Sequence, residues 1–297
     1  MGDYHVHLHP HGPYDGTGPE PGTYPAAHIE AYVETALSRG VDEVGFTEHL
    51  YRCTEAEELL GTFWESEPRL DLADHTARNV EVERTLSLEL YAEAVLAARD
   101  RGLPVLLGLE VDFFPESIER VAEYLARYPF DFLVGSVHWI GGWGYDRRDV
   151  EYEYDRRGTR RAYEDYFALE LALAASGIVD ILAHVDAIKK PARFLDELPI
   201  ELYRPVVEAA AASGTAVEIN TAGWWHPAAE VFPHPTFLKM FHDAGVAITI
   251  GSDAHYPHDT SRAFDRAVEV ARKAGYEHRL RFRDRVATTV PLPSPSL

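Results

Sequence analysis

The sequence predicts an α/β fold, a distorted (β/α)7 barrel with its site at the C-terminal ends of the strands. Three observations predict it. Short apolar runs alternate with amphipathic helical stretches along the 297 residues, the pattern of repeated βα units. Glycine stops helical stretches just ahead of strands at Gly40, Gly102, Gly177, Gly214 and Gly245. Single His or Glu residues stand where the apolar runs end, at His5-Val6-His7, Glu48-His49, Glu110, His138, His184 and Asp253-Ala254-His255. An open doubly wound sheet is the alternative reading of the same alternation.

Strands are expected near residues 3–7, 44–47, 105–110, 132–138, 179–184, 216–219 and 247–251. Helices are expected near 26–39, 86–101, 116–128, 160–176, 200–213, 236–244 and 261–274. Two insertions break the rhythm on the strand-end face. Residues 51–82 are polar and acidic around Phe63-Trp64, and residues 141–158 carry Trp143, Tyr145, Arg147 and Arg148. Long loops on a rigid scaffold shape access to a site. The Pro/Ser-rich tail, 291–297, is expected to fray, and residues 1–297 are expected to form one domain, because no linker divides them.

Composition excludes several classes. No apolar run approaches the ~18 residues needed to cross a bilayer. Met1 leads directly into Asp3-Tyr4-His5, without the basic and apolar stretches of a signal peptide. Cys53 is the only cysteine, which excludes an internal disulfide, fits a reducing cytosol and predicts a cytoplasmic protein with Cys53 as a spectator. The formal charge of −21 repels phosphate backbones and anionic lipids, so neither nucleic acid nor membrane is an expected partner. A small anionic substrate fits if bound divalent metals invert the local field.

Side chains alternate along a strand, so His5 and His7 share one side. Alone, that pair does not define a metal site. Val44-Gly45-Phe46-Thr47 runs into Glu48-His49, and Leu106-Leu107-Gly108-Leu109 embeds Glu110 in an apolar run. Burying an unpaired carboxylate is costly, and bridging two cations would meet that cost. Phe132 to Val137 ends in His138, Ile181-Leu182-Ala183 in His184, and Ile248-Thr249-Ile250-Gly251-Ser252 in Asp253 and His255. Any one of these is commonly a core histidine or a loop start; six strand ends carrying such groups together point to metal. Among the other histidines, His75 and His278 are expected to face solvent, and His28 and His242 to lie on helices. His9, His226, His234 and His258 are expected in loops near the site.

At this point the chain resembles the polymerase-and-histidinol-phosphatase (PHP) superfamily of metal-dependent phosphoesterases. The resemblance rests on His5-Val6-His7, Thr47-Glu48-His49, His184 and Gly251-Ser252-Asp253-Ala254-His255, in order along nearly the whole chain. Three longer segments resemble the histidinol-phosphatase branch: Gly108 to Phe114, Asp131 to Ile140, and Val217 to Gly223. The resemblance implies three divalent ions, with zinc, iron and manganese all compatible with the ligand types. His5, His7, Glu110 and Asp253 would surround the first, and Glu110, His138 and His184 the second. His49 and His255 would hold the third with one further ligand. The family's loop normally reads Cys-Pro-His-Gly about six residues after the second His; here His9-Pro10-His11-Gly12 comes sooner. His11 is the first choice for that ligand, Asp15 the second and His9 the third.

The resemblance implies hydrolysis of L-histidinol phosphate, a step of histidine biosynthesis, with Glu110, Asp253 and His255 at the reacting centre. Metals lower the pKa of bound water to about 7, which supplies hydroxide for attack on phosphorus. Three divalent ions less the two carboxylates leave a net charge of roughly +4, a well for a phosphate dianion. Lys189, with Lys190 and Arg193 behind it, is the candidate phosphate clamp. Glu218 and Asn220 are candidates for the substrate ammonium, and Trp139, Trp143 and Trp224 for stacking on its ring. The competing readings are a phosphodiesterase or exonuclease of the same superfamily, an amidohydrolase, and a metal-binding module without catalysis.

Overall fold

Parallel strands buried on both faces read as continuous apolar runs, and here every such run becomes a strand. The computed structural model describes residues 1–293. The chain opens with β1 (Gly2–Val6), α1 (Ala26–Ser38) and β2 (Glu43–Phe46). The first insertion follows, with α2 (Ala56–Leu60) and α3 (Leu70–Glu83), and then α4 (Leu88–Asp100), β3 (Val105–Asp112), α5 (Ile118–Leu125) and β4 (Phe132–Ser136). The second insertion holds a two-stranded ribbon, β5 (Trp139–Ile140) and β6 (Trp143–Gly144), and α6 (Glu153–Arg157). The rhythm resumes with α7 (Thr159–Ser176), β7 (Ile181–Leu182), α8 (Ile200–Ser213), β8 (Ala216–Asn220), α9 (Pro235–Asp243), β9 (Ile248–Gly251) and α10 (Phe264–Ala274). An antiparallel hairpin, β10 (His278–Arg283) and β11 (Val286–Pro291), ends the described chain.

The sheet order is β1-β2-β3-β4-β7-β8-β9, all parallel, which excludes the doubly wound alternative. Two backbone bonds bring the edges together, His7 N–H to Ala254 O at 2.8 Å and Asp253 N–H to His5 O at 2.8 Å. The result is a nearly closed seven-stranded barrel. The helices end as their glycines predict; Gly177 and Gly214 both adopt the left-handed C-cap.

At the N-terminal end of the barrel the interior is filled by Tyr4, Leu106, Phe132, Val134, Ile181 and Ala216. Phe132 occupies so much of it that a Cβ at Gly45 or Gly108 would lie 2.5 Å from its ring. Phe282 of β10 joins this cluster, 6.1 Å from Tyr4 and 6.2 Å from Phe132 between ring centroids. Arg281 and Arg283 anchor the same strand to Glu43 at 2.7 and 3.0 Å. The hairpin thus plugs the end opposite the candidate ligands.

Two expectations need correction. The first insertion is no plain loop: α3 buries Leu72, Thr76, Val80 and Glu83, spaced at helical intervals. It is stitched to the second insertion by Thr76 Oγ1 to Gly142 O (2.6 Å), Arg69 to Glu153 (3.0 Å) and Arg157 to Glu67 (2.8 Å). The tail does not fray at its start, because Pro291 completes β11 and Leu292 is buried; residues 294–297 lie outside the described residues.

Behind the barrel, Glu170 on α7 is fully buried, with neither carboxylate oxygen hydrogen-bonded among the described residues. Burial pushes its pKa well above the usual carboxylate value. As pH rises past about 4.3, the unfolded chain ionises at this residue while the native chain keeps the proton. Native stability is therefore lost with rising pH. Glu170→Gln removes that dependence, so the variant should gain on the wild type by up to about 1.4 kcal/mol per pH unit. Melting curves of both proteins between pH 5 and pH 8 check this; a constant difference would show that Glu170 is ionised in the fold.

Candidate metal centre

The candidate ligands enter the site from the ends of six of the strands. His5 lies on β1 and His7 follows it; His49 follows β2, Glu110 lies on β3, His138 follows β4, His184 follows β7, and Asp253 and His255 follow β9. His184 (φ 22°) and Asp253 (φ 53°) are held in backbone conformations unfavourable for residues other than glycine. Strain at such residues is kept where the surrounding structure fixes it.

Glu110 is fully buried at the centre. Its Oε1 lies 3.1 Å from His184 Nε2 and 3.4 Å from His138 Nε2. Its Oε2 lies 3.5 Å from both His5 Nε2 and His7 Nε2, and 2.6 Å from His49 Nδ1. Asp253 Oδ1 closes the other side, 3.7 Å from His5 Nε2 and 3.4 Å from His7 Nε2. His11 Nε2 lies 3.3 Å from His49 Nε2, and the His11 and His255 ring centroids are 4.3 Å apart.

The second nitrogens of three of these rings are fixed from behind. Glu218 accepts from His5 Nδ1 at 2.8 Å, Asp112 from His138 Nδ1 at 2.7 Å, and the Asp253 carbonyl from His255 Nδ1 at 3.0 Å. This directs the Nε2 lone pairs inward. Burial and the adjacent His255 and His49 hold His7 well below the usual histidine pKa, so it too offers a lone pair. Burial alone would lower His138, but Glu110 and Asp112 raise it to about 9. The centre attracts positive charge.

His5 Nε2, His7 Nε2, His255 Nε2 and Glu110 Oε2 are buried with no hydrogen-bond partner among the described residues. Donors left bare at such cost fit metal ligation. The sets His5/His7/Glu110, His49/Glu110/His138 and His7/His49/His255 each place three ligand atoms within 4.8 Å of one another.

Other expected residues lie elsewhere. Asp15 is on an exposed loop, accepting from Thr17 N–H and Oγ1 at 2.9 and 2.6 Å, away from the cluster. His9 has both nitrogens engaged, with Glu48 at 2.9 Å and the Thr23 carbonyl at 3.1 Å. Glu218 and Asn220 are buried beneath the ligands, not open to an ammonium: Asn220 donates to Glu218 (3.0 Å) and Asp253 (3.2 Å). Lys189 is buried and donates to Asp186 (2.8 Å) and the Val231 carbonyl (3.0 Å). Arg193 is spent on Glu151 and Asp155, at 3.0 and 2.8 Å. Trp143 is a core residue donating to the Val150 carbonyl, and Trp224 packs under Arg266 at 4.0 Å. His75 does not face solvent freely but pairs with Asp149 across the two insertions.

A cavity of about 420 Å³ opens over the cluster, lined among others by His11, Trp139, Lys190, Trp225, His226 and Arg262. Lys190 meets Asp146 there at 2.8 Å, and the Arg262 guanidinium lies 3.7 Å from the Trp225 ring centroid. Asp146, Trp225, Asp259 and Arg262 were not expected at the site; no pattern in sequence distinguishes them from other loop residues. Arg147, in the second insertion, also lines the cavity and donates to Glu83 at 3.0 Å.

Imidazoles and carboxylates converging at the mouth of a parallel barrel make this a metal-centre barrel. Residues 6–222 match the PHP domain family, and the chain belongs to it. It is 31% identical to a probable histidinol-phosphatase of Deinococcus radiodurans over 82% of this chain and 86% of that one. It is 23% identical to the histidinol-phosphatase of Lactococcus lactis over 92% of this chain and 91% of that one. The fold matches a histidinol phosphate phosphatase from L. lactis, solved with zinc, L-histidinol and phosphate, at a TM-score of 0.70 and 21% identity, covering 97% and 98% of the two chains. A putative histidinol phosphatase from Listeria monocytogenes matches at 0.67 and 18%, covering 90% and 99%.

Proposed function

We propose that this protein is a metal-dependent phosphatase that hydrolyses L-histidinol phosphate to L-histidinol and phosphate in the cytoplasm, using three divalent ions. The observation that carries the reading is the cluster of bare, inward-facing imidazole and carboxylate atoms beneath a cavity sized for a small molecule. The kinship with histidinol-phosphatases supplies the substrate.

His5, His7, Glu110 and Asp253 would hold one ion, Glu110, His138 and His184 a second, and His11, His49 and His255 a third, as zinc, iron or manganese. Bound there, the ions would supply hydroxide at neutral pH and charge stabilisation for the phosphoryl group. The chain's own residues do the rest. Glu218 and Asp112 hold His5 and His138 in one tautomer. Lys190 and Arg147 would meet the phosphate by turning from Asp146 and Glu83, Asp146 and Asp259 would then take the ammonium, and Trp225 would offer a face to the imidazole. The acidic surface, at −21, favours this small ester over nucleic acid.

Phosphate release should be fastest with histidinol phosphate among a panel of phosphomonoesters and a diester. Stripping the metal with a chelator should cut it by at least about a hundredfold, with recovery on adding zinc or manganese. Equal rates across the panel, a preference for the diester, or indifference to chelator would overturn the assignment.

A further inference from the structure

The loop that follows β1 is short, yet it must carry His11 back over the barrel mouth to meet His49. Two side chains flanking His49 grip that loop. On one side, Glu48 Oε1 accepts from Leu8 N–H and His9 Nδ1, both at 2.9 Å. On the other, Arg52 Nη1 donates to the His9 carbonyl at 3.0 Å and Nη2 to the Pro10 carbonyl at 2.9 Å. Both side chains are buried, so these are fixed contacts and not surface pairs. The guanidinium fork is rigid and spans two successive carbonyls immediately before His11. Its own backbone is tied to the His49 turn, Arg52 N–H to His49 O at 3.2 Å.

We propose that Arg52, acting beside Glu48 on the same loop, is a positioning residue that assembles the third metal site by locking the His11 loop onto the His49 turn. The inference rests on the three-ion reading above. Arg52 touches neither substrate nor metal; it acts through the backbone that sets where His11 Nε2 points, 3.3 Å from His49 Nε2. The remaining ligands hang on strand ends that Arg52 does not hold, so its loss bears on one ion and leaves the others.

The test is zinc binding to wild type, Arg52→Gln and Arg52→Lys by equilibrium dialysis with a competing chelator. The wild type should hold three zinc ions. In Arg52→Gln the weakest should bind about 10- to 100-fold less tightly, the scale of lost ligand support, with the other two unchanged. Arg52→Lys keeps the charge but cannot span both carbonyls, and should fall between. Excess zinc should restore phosphate release in both variants. Three ions held with wild-type affinity in the variants, or all three weakened alike, would overturn the inference and leave the three-ion reading standing. A wild type holding only two ions would remove that reading and this inference with it. If Arg52→Gln does not fold, Arg52→Lys decides by the same criterion.

Discussion

Replacing Glu110 by alanine should strip metal and end phosphate release in one step, a loss of about a thousandfold or more, equivalent to at least ~4 kcal/mol of transition-state stabilisation. The reason lies in how many partners one carboxylate serves. Its two oxygens lie within 3.5 Å of nitrogens from His5, His7, His49, His138 and His184, contributed by four strand ends of the barrel. The group is fully buried and sits on β3, near the middle of the strand order. Truncation would leave the imidazoles without the anion that balances cations bound between them, and Asp253, which reaches only His5 and His7, spans one side of the cluster. Zinc content should fall by more than one ion per chain, because both oxygens face ligand sets. Glu110→Gln, which keeps the shape and one good acceptor, should retain more metal than Glu110→Ala. Elemental analysis beside a phosphate-release assay checks both. Loss of activity with full metal content would make Glu110 a proton-transfer group and not a bridge.

The barrel was legible because its strands are buried on both faces and so read as unbroken apolar runs. The candidate ligands were legible for a related reason: a His or Glu that ends such a run marks the passage from core to mouth. That signal records position along a strand, not depth beneath the mouth. Glu218 ends its run just as Glu110 does, yet it lies under His5, and Asn220 beneath Asp253. Whether a carboxylate faces substrate or supports a ligand depends on the neighbouring strand, and register between β8 and β9 is not written in either one alone. The basic run after His184 misled in the same way. Lys189 turns inward to Asp186 while its neighbour Lys190 reaches the cavity. The plug strand, β10, escaped notice because its alternating arginines resemble a solvated edge, when two of them are bound to Glu43. Among the alternatives for the loop ligand, sequence offered three residues. Glu48 engages His9 and Asp15 is bonded to Thr17 in its own loop, whereas His11, itself exposed, lies 3.3 Å from His49.

Gly251→Ala should be nearly as damaging as loss of a ligand, although Gly251 binds nothing. A Cβ at this position would lie 1.9 Å from Glu218 Oε1 and 2.6 Å from the His5 Cβ, too close for either to stay. Neither neighbour is a free side-chain end: Glu218 also accepts from the His184 backbone N–H at 3.0 Å, and His5 is fixed in β1. One methyl group would therefore displace the carboxylate that sets the His5 tautomer and loosen the strained turn at His184. Overpacking of this kind costs about 1–3 kcal/mol of stability, and lost support for a metal-bound histidine about 10- to 100-fold in metal affinity or activity. Glu218→Gln separates the two effects. It keeps the volume and the fold but removes the charge that orients His5, so it should bind zinc more weakly with little change in melting temperature, whereas Gly251→Ala should lose both. Full activity in Gly251→Ala would mean that Glu218 can leave His5 without consequence, and that the histidine is held by its strand alone. The close approach of β8 to β1 across a residue without a side chain is what lets one buried carboxylate serve two ligands at once.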